Sequence, residues 1–393
     1  METDILISGG GVAGLTAAAA FGTAGFDVVI VDPAPPVTQA DTPGADLRTT
    51  AFLQPARAFL DCAGLWDMLA PHAAPLQIMR IVDGAATPPV VRDFDAADIS
   101  DQPFGWNLPN WLLRREMVAR LSALPNVDFR PGTGFARMLT RTAEARVTLT
   151  DGQSLRAKLV IGADGRGSPV RAAAGIDVKT TRYGQKALTF AVTHAAPHDN
   201  ISTEVHQTGG PFTLVPLPDH NGQPCSAVVW MDSGAEVARL AALSPADFNA
   251  AATARSAGVM GDLALVAGRS SWPIISQIAN RLTAQRTALV AEAAHVMPPI
   301  GAQGLNMSLS DLASLLDLAE AHRASLGDTA MLDAYQAARH TDIRLRVTGI
   351  DALNRASIAG SSVLRDLRPW GIRALADTAP VRRQLMKLGL GAG

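Results

Sequence analysis

A carboxylate, a histidine, two prolines and several small residues stand together in residues 292–306, EAAHVMPPIGAQGLN. An apolar run, Thr287–Val290, reads as a strand leading into Glu292. His295, Pro298-Pro299 and a Gly301–Gly304 segment follow, and a helical pattern opens near Gln303–Leu305. A helix start offers free N–H groups and the positive end of its dipole to whatever lies ahead of it. Glycine lets backbone come close to a flat ligand. Such a segment suits a planar group that becomes negatively charged. Pro298 and Pro299 carry no N–H and, with Ile300, can wall a reacting face without giving up a proton, in a turn that Gly301 completes.

The N-terminus supplies a second constellation. A short apolar strand, Asp4–Ser8, enters Gly9-Gly10-Gly11-Val12-Ala13-Gly14, and an Ala-rich helix (Leu15–Ala24) follows. Gly25 then separates this helix from a second strand, Phe26–Val31, which ends at Asp32. Each part of G-x-G-x-x-G has a task in holding a dinucleotide. Gly9 permits the tight turn, Gly11 lets a pyrophosphate approach backbone, and Gly14 allows close helix–strand packing. Val12 and Ala13 open the helix on which the phosphates rest, and Asp32 can accept from a ribose hydroxyl. The motif alone is weak; with strand, helix and acid in order it is specific.

A third segment, Leu159–Arg171 (LVIGADGRGSPVR), delivers Asp164-Gly165 at the carboxyl end of a buried strand. Ser168 and Arg171 stand at offsets that start a helix. Asp-Gly by itself is usually a turn.

Taken together, the three segments resemble the Asp-Gly-containing flavoprotein hydroxylases. The chain is similar to aromatic-ring hydroxylases with one FAD-binding domain, and more narrowly to the FAD-dependent hydroxylases of ubiquinone biosynthesis. The likeness also covers Leu47-Arg48 with Thr50-Ala51, Tyr183-Gly184-Gln185, Pro211–Pro218, Ser226–Trp230, and Asp311 after the 292–306 block. The resemblance implies an α/β fold: a Rossmann-like FAD-binding domain interleaved with a β-sheet substrate domain, and a helical C-terminal region. On that pattern residues 1–72, 104–177 and 281–340 form the FAD domain. Residues 73–103 and 178–280 form the substrate domain, and 341–393 the C-terminal region.

The family pattern also assigns roles. FAD is expected against Gly9, Gly11, Val12, Ala13, Gly14, Asp32, Arg48, Asp164, Gly165, Glu292, Gly301, Gly304, Leu305 and Asn306. Relatives carry an arginine after an asparagine in the Asn110–Leu124 helix. This chain has Trp111 there, so Arg114 or Arg115 is expected to serve instead, the alternative being solvated helix charges. Relatives commonly have Gly-Asp where this chain has Ala291-Glu292. Tyr183, Gln185, Phe212 and Trp230 are expected in the substrate cavity. His295 has no second ligand at metal spacing, so no metal is expected and a structural hydrogen bond is the favoured role. No general base is assigned.

The implied chemistry is hydroxylation of a polyprenylated phenol. Activating O2 is beyond any side chain and belongs to the cofactor, through a flavin C4a-hydroperoxide. The electron donor is NAD(P)H or a redox partner. Three alternatives stay open: hydroxylation of another small aromatic, a flavin-binding non-catalytic subunit of a quinone-biosynthesis complex, and a nicotinamide dehydrogenase using the N-terminal fingerprint alone.

Composition is compatible with this and excludes other classes. With 393 residues there is length for two domains and a large core. A formal net charge of −2 argues against nucleic acid as a partner. Cys62 and Cys225 suggest neither disulfide nor metal and are expected as reduced core thiols. The acidic start Met-Glu-Thr-Asp is no secretory signal, and no apolar run reaches the roughly 18–20 residues of a membrane span. A cytoplasmic protein is expected, peripheral on the inner face of the membrane. From Arg339 onward ten Arg and Lys face four Asp, an excess of six positive charges interspersed with apolar residues. Such a region suits an anionic membrane surface or a partner in a quinone-biosynthesis complex.

Along the chain, the expected secondary structure includes an amphipathic stretch at Leu53–Leu69 with a break at Gly64, and a helix at Asn110–Leu124. A meander runs through Val127–Arg130, Gly134–Thr140 and Ala145–Thr150. Strands are expected at Ile78–Asp83, Leu188–His194, Ser202–Gln207, Thr213–Pro216, Ser226–Met231 and Ser271–Ser276, with a helical pair at Ser244–Ala257.

Overall fold

The structure is a computed structural model that describes residues 1–84, 88–207, 209–266, 268–358 and 386. Strands Glu2–Ser8 and Val28–Asp32 lie parallel, with helix Val12–Thr23 crossing between them. Ile5, Leu6, Ile7 and Val28 to Val31 are buried on both faces, as a parallel sheet covered by helices requires. Strand Ser154–Gly162 pairs on the other side of the first strand, and Thr287–Leu289 pairs beyond it, both parallel. Val127–Pro131 extends the opposite edge. The hairpin Phe135–Thr140 and Ala145–Leu149 joins through Ser154–Gly162.

The parallel register has one consequence for function. Residues remote in sequence leave the sheet at the same edge: Gly9 after the first strand, Asp32 at the end of the second, Asp164 after Gly162 and Glu292 after Leu289. Ligands of open α/β sheets bind at such carboxyl ends.

A second sheet runs in the order His295–Val296, Ser270–Ala279, Val178–Thr193, Gln223–Ser233, Pro211–His220, Ile201–His206, Ile78–Asp83, Val90–Asp95. Alternation gives it two faces. One carries Leu188, Phe190, Phe212, Leu214, Val228 and Trp230, covered by Val237, Leu240, Phe248 and Ala252 of helices Gly234–Ala241 and Pro245–Arg255. The other carries Ala187, Val229, Met231 and Trp272, and further along Val215 and Met79. A small sheet of Thr49–Leu53, Gly105–Pro109 and Ala74–Leu76 sits against that second face, where Leu53 and Leu76 meet Val215.

Helices Gln303–Ala321 and Thr329–Ile358 close the structure. A buried chain joins them to the second sheet. His295 Nε2 lies 2.6 Å from Asp311 Oδ2, and Arg339 Nε donates to Asp311 Oδ1 at 2.9 Å. The side chains of His295 and Asp311 are 1% and 0% exposed.

Several elements depart from expectation. The Leu53–Leu69 stretch splits into Gln54–Cys62 and Trp66–Leu69, with Gly64 left-handed at the break. The strand expected at Leu188–His194 begins ten residues earlier, at Val178. Its polar start hides the alternation, and a bulge between Arg182 and Lys186, where Gly184 has φ +73°, resets the register. The helical pair begins at Gly234. Ser233 and Ser244 accept from the N–H of Glu236 and Asp247 and start the two helices. Cys62 is exposed rather than a core thiol, because it ends its helix on the outward side; Cys225 is buried. His295–Val296 pairs with the second sheet, although it lies in the 281–340 stretch. The boundary at 340/341 falls inside one continuous helix. Much of the basic C-terminal region, residues 359–385 and 387–393, lies outside the described residues.

Candidate functional site

The glycine loop is built by contacts that exclude larger residues. Gly9 has φ +115°, and a Cβ there would collide with the Ala163 carbonyl. A Cβ on Gly14 would collide with the Gly9 carbonyl oxygen. Gly11 is different: a Cβ there meets nothing within 4 Å. The protein's own packing therefore does not explain that glycine, whereas a ligand lying against the loop does. Helix Val12–Thr23 starts at Gly11 without a side-chain cap, which leaves the N–H end around Val12 and Ala13 to a ligand. Asp32 is fixed at its strand end by N–H donors from Gly10 (2.5 Å) and Ala34 (2.8 Å).

Across the loop, Asp164 Oδ2 accepts from Ser8 Oγ (3.1 Å) and the Val170 N–H (3.2 Å). Its Oδ1 is buried and receives no hydrogen bond from the described residues. Burial pushes the Asp164 carboxyl up from its ordinary pKa, against hydrogen bonds that lower it. A buried acceptor without a donor is costly, and a ligand hydroxyl or amide would satisfy it. Gly165 turns the chain at φ +80°, and Ser168 caps the next helix by accepting from the Arg171 N–H. Arg171 ties this loop to the 292–306 segment, donating to the carbonyls of Arg166 and Ala293, each at 2.8 Å.

Glu292 is half-exposed and 3.9 Å from Arg166. The preceding Ala291 has φ +54°, a left-handed backbone that favours glycine. Further on, Pro298 is buried while Pro299, Gly301, Ala302 and Gly304 are exposed, so the turn presents a bare outer surface. Gly301 and Ala302 are both left-handed, at +63° and +55°. No side chain caps helix Gln303–Ala321, whose first N–H groups, at Gln303, Gly304 and Leu305, stand behind that surface. Asn306 was expected to reach the cofactor. Its side chain holds the small sheet, accepting from the Leu53 N–H (2.8 Å) and donating to Ala51 O (2.7 Å) and Ala302 O (2.6 Å).

Arg48 and Arg114 meet at a residue not singled out in the sequence, Asp46. Arg48 grips it with two bonds of 2.7 and 2.6 Å, Asn110 donates at 3.0 Å and Arg114 at 3.4 Å. Burial works to raise the Asp46 pKa, yet the hydrogen bonds and charges of Arg48, Asn110 and Arg114 outweigh it and hold the carboxyl below its ordinary value. Two guanidiniums share one carboxylate, which leaves the cluster net positive. The Arg48 guanidinium also lies 5.3 Å from the Trp272 ring of the second sheet. Arg115 faces outward, bonded to Glu116.

The expected cavity residues divide. Tyr183 lies beside Ala187, Met231 and Trp272, on the face turned toward the small sheet. Its hydroxyl bonds Asp351 of the last helix, and burial and then that bond push its pKa up to about 12. Gln185 donates to Gly209 O (3.1 Å) and accepts from Asn354 (3.3 Å). Phe212 and Trp230 pack within a hydrophobic cluster. They are cross-strand partners on the opposite face, 0% and 4% exposed under Phe248. Alternation puts them there: Val215 and Val229, one or three positions away, face the other side.

The residues present therefore fit a dinucleotide carrying a planar ring: an open glycine, two uncapped helix starts, a buried acceptor and a cationic cluster around one sheet edge. Comparison with known proteins points the same way. The sequence profile of a family described as FAD binding domain matches residues 2–348. The chain is 34% identical to a ubiquinone hydroxylase of Rhodospirillum rubrum, over 99% of this chain and 89% of that protein. It is 27% identical to a 3-demethoxyubiquinol 3-hydroxylase of Escherichia coli, over 99% and 98%. Among solved structures, p-nitrophenol 4-monooxygenase of Pseudomonas putida superposes with a TM-score of 0.82 at 21% identity, covering 100% of this chain and 99% of that one.

Two outcomes are expected. A Cβ at Gly11 meets nothing within 4 Å, so Gly11→Val should fold normally and yet purify without the visible absorbance of bound flavin; Asp164→Ala should likewise lose it. Normal spectra in both would displace the site. Ala291→Gly removes left-handed strain of roughly 1–2 kcal/mol against a glycine entropy cost of roughly 0.5–1 kcal/mol. A net gain of about 0.5–1 kcal/mol in urea unfolding is expected, and a loss would show that the corner is unstrained.

Proposed function

The chain belongs to the FAD-binding aromatic-hydroxylase family that includes the ubiquinone-biosynthesis hydroxylases, and from that premise we propose that it hydroxylates the ring of a polyprenylated phenol on the route to ubiquinone. It is an FAD-dependent monooxygenase, using O2 and electrons from NAD(P)H or a redox partner. The observation that carries the reading is the convergence of three remote segments on one sheet edge, in a chain whose second sheet turns an apolar face toward the small sheet that Asn306 holds.

When bound and reduced, FAD supplies the oxygen activation that no side chain can. The protein's residues do the rest. Gly9, Gly11 and Gly14, the helix start at Val12–Ala13, Asp32, Arg48 and Asp164 would hold the dinucleotide. The N–H groups at Gln303, Gly304 and Leu305 would stabilise negative charge on the ring, and the carboxylate of Glu292 would take a ribityl hydroxyl. Pro298 and Pro299 offer no N–H, and Gly301 beside them adds no side chain, so the turn carries no acidic group to protonate or quench what reacts in front of it. Val215, Val229, Met231 and Trp272 offer an apolar wall to a greasy ring, with Tyr183 and Gln185 at its end. In domain terms, the reading is a cofactor unit (1–72, 104–177, 281–340), a substrate unit (73–103, 178–280) and a C-terminal region (341–393).

The same reading places the protein on an anionic membrane surface through the basic C-terminal region, where a quinone-biosynthesis complex would also dock. Among the described residues no helix is long and apolar enough to cross a membrane. Leu345 and Leu353, eight positions apart on one side of the last helix, are 69% and 60% exposed beside Arg344 and Arg355.

Cells lacking the protein should accumulate a prenylated precursor one oxygen atom lighter than the product, identified by mass; unchanged quinone pools would overturn the assignment. In the purified enzyme Gly301→Leu should abolish hydroxylation while keeping most of the FAD, and wild-type turnover would show that the turn does not face the reaction. Truncation after about residue 359 should weaken flotation with anionic vesicles more than it lowers flavin content; loss of all FAD would refute that division of labour.

A further inference from the structure

Strand Gly105–Pro109 sends its side chains two ways. Trp106 and Leu108 join the helical core, while Asn107 points between the small sheet and the second sheet. Its cross-strand neighbours are Ala51 and Ala74, and the layer around it is apolar: Leu53, Leu76, Met79 and Val215. Asn107 is 1% exposed. Its Nδ2 donates to the Pro216 carbonyl at 2.9 Å, which fixes the amide plane. Its Oδ1 is buried and accepts nothing from the described residues. An amide carbonyl left so in an apolar layer costs on the order of 1–3 kcal/mol, and such a site persists where a ligand donor completes it.

The position is specific. Ala51, directly opposite Asn107, has its carbonyl held by Asn306 in the first turn of helix Gln303–Ala321. On the other side Pro216 belongs to the second sheet. Asn107 therefore stands between the small sheet, which Asn306 ties to the helix start at Gln303, and the second sheet. The two alanines paired with it are the smallest side chains that a strand can set beside it.

We infer that Asn107 is the residue that orients the aromatic substrate, its Oδ1 accepting the hydrogen bond of a ring hydroxyl. This rests on the reading of the chain as a phenol hydroxylase. An amide cannot take the proton, so Asn107 binds and aligns a neutral phenol and is no general base. A site built this way rejects an aryl ether of the same shape, because the ether leaves the carbonyl unmatched.

The test compares a short prenylated phenol with its methyl ether on the FAD-loaded enzyme. Wild-type should favour the phenol in kcat/KM by about 10- to 100-fold, the range a single buried hydrogen bond supports. Asn107→Leu should retain FAD and lose that preference, treating both compounds alike, mainly through KM. A preference retained in Asn107→Leu overturns the proposal. Should that variant not fold, binding to the wild-type holoenzyme decides, read as perturbation of the flavin spectrum: equal affinity for phenol and ether overturns it, and phenol-selective binding supports it. If the wild-type binds the phenol selectively but never hydroxylates it or its relatives, the functional reading fails while the Asn107 contact stands.

Discussion

The contact on which the site depends is the buried carboxylate of Asp311. It receives the imidazole of His295 on one oxygen and the guanidinium of Arg339 on the other. These three residues come from the second sheet's edge strand, the helix behind the reactive turn and the last long helix. Removing one partner from such a buried set costs roughly 3–5 kcal/mol, because the others are left without compensation. The turn at 297–302 lies between His295 and the helix that carries Asp311, so its two ends are clamped to one group. Asn306 adds a second clamp, to the small sheet. A corner held at both ends can keep a left-handed alanine at 302 that a free loop would relax.

Topology supplies the rest of the cofactor side. Parallel pairing brings Gly9, Asp32, Asp164 and Glu292 to one edge whatever their distance in sequence. Arg171 then bolts the Asp-Gly loop to the Ala291–Ala293 turn through backbone carbonyls. The second sheet obeys a different rule. One of its faces is filled by Phe212, Trp230 and Phe248, and the other meets the small sheet through Val215 and Met79.

Residues doing local work were legible in the sequence. The glycine turn, the acid at the second strand's end, the Asp-Gly pair and the helix start near Gln303 are each defined by neighbours a few positions away. What depends on pairing was not. Phe212 and Trp230 read as cavity residues because a strand's face is set by register, and a slip of one residue exchanges the faces. The bulge at Tyr183–Gln185 hid the start of its strand for the same reason. Asp46 carried no signal: its partners Asn110 and Arg114 are about sixty positions away and join it only when the helix after the small sheet is laid down. Asn107 looks like any strand residue until the sheet beyond it is present to leave its carbonyl oxygen unmatched.

The left-handed corner at Gly301–Ala302 carries an implication for how this protein can vary. Backbone of that handedness costs most L-residues roughly 1–2 kcal/mol and suits β-branched ones least, so such replacements are disfavoured before they ever meet a neighbour. The reactive surface thus stays uncluttered through chain chirality instead of through walls that must be maintained one by one. Drift elsewhere in the sequence can reshape the guest's chamber while this threshold remains smooth.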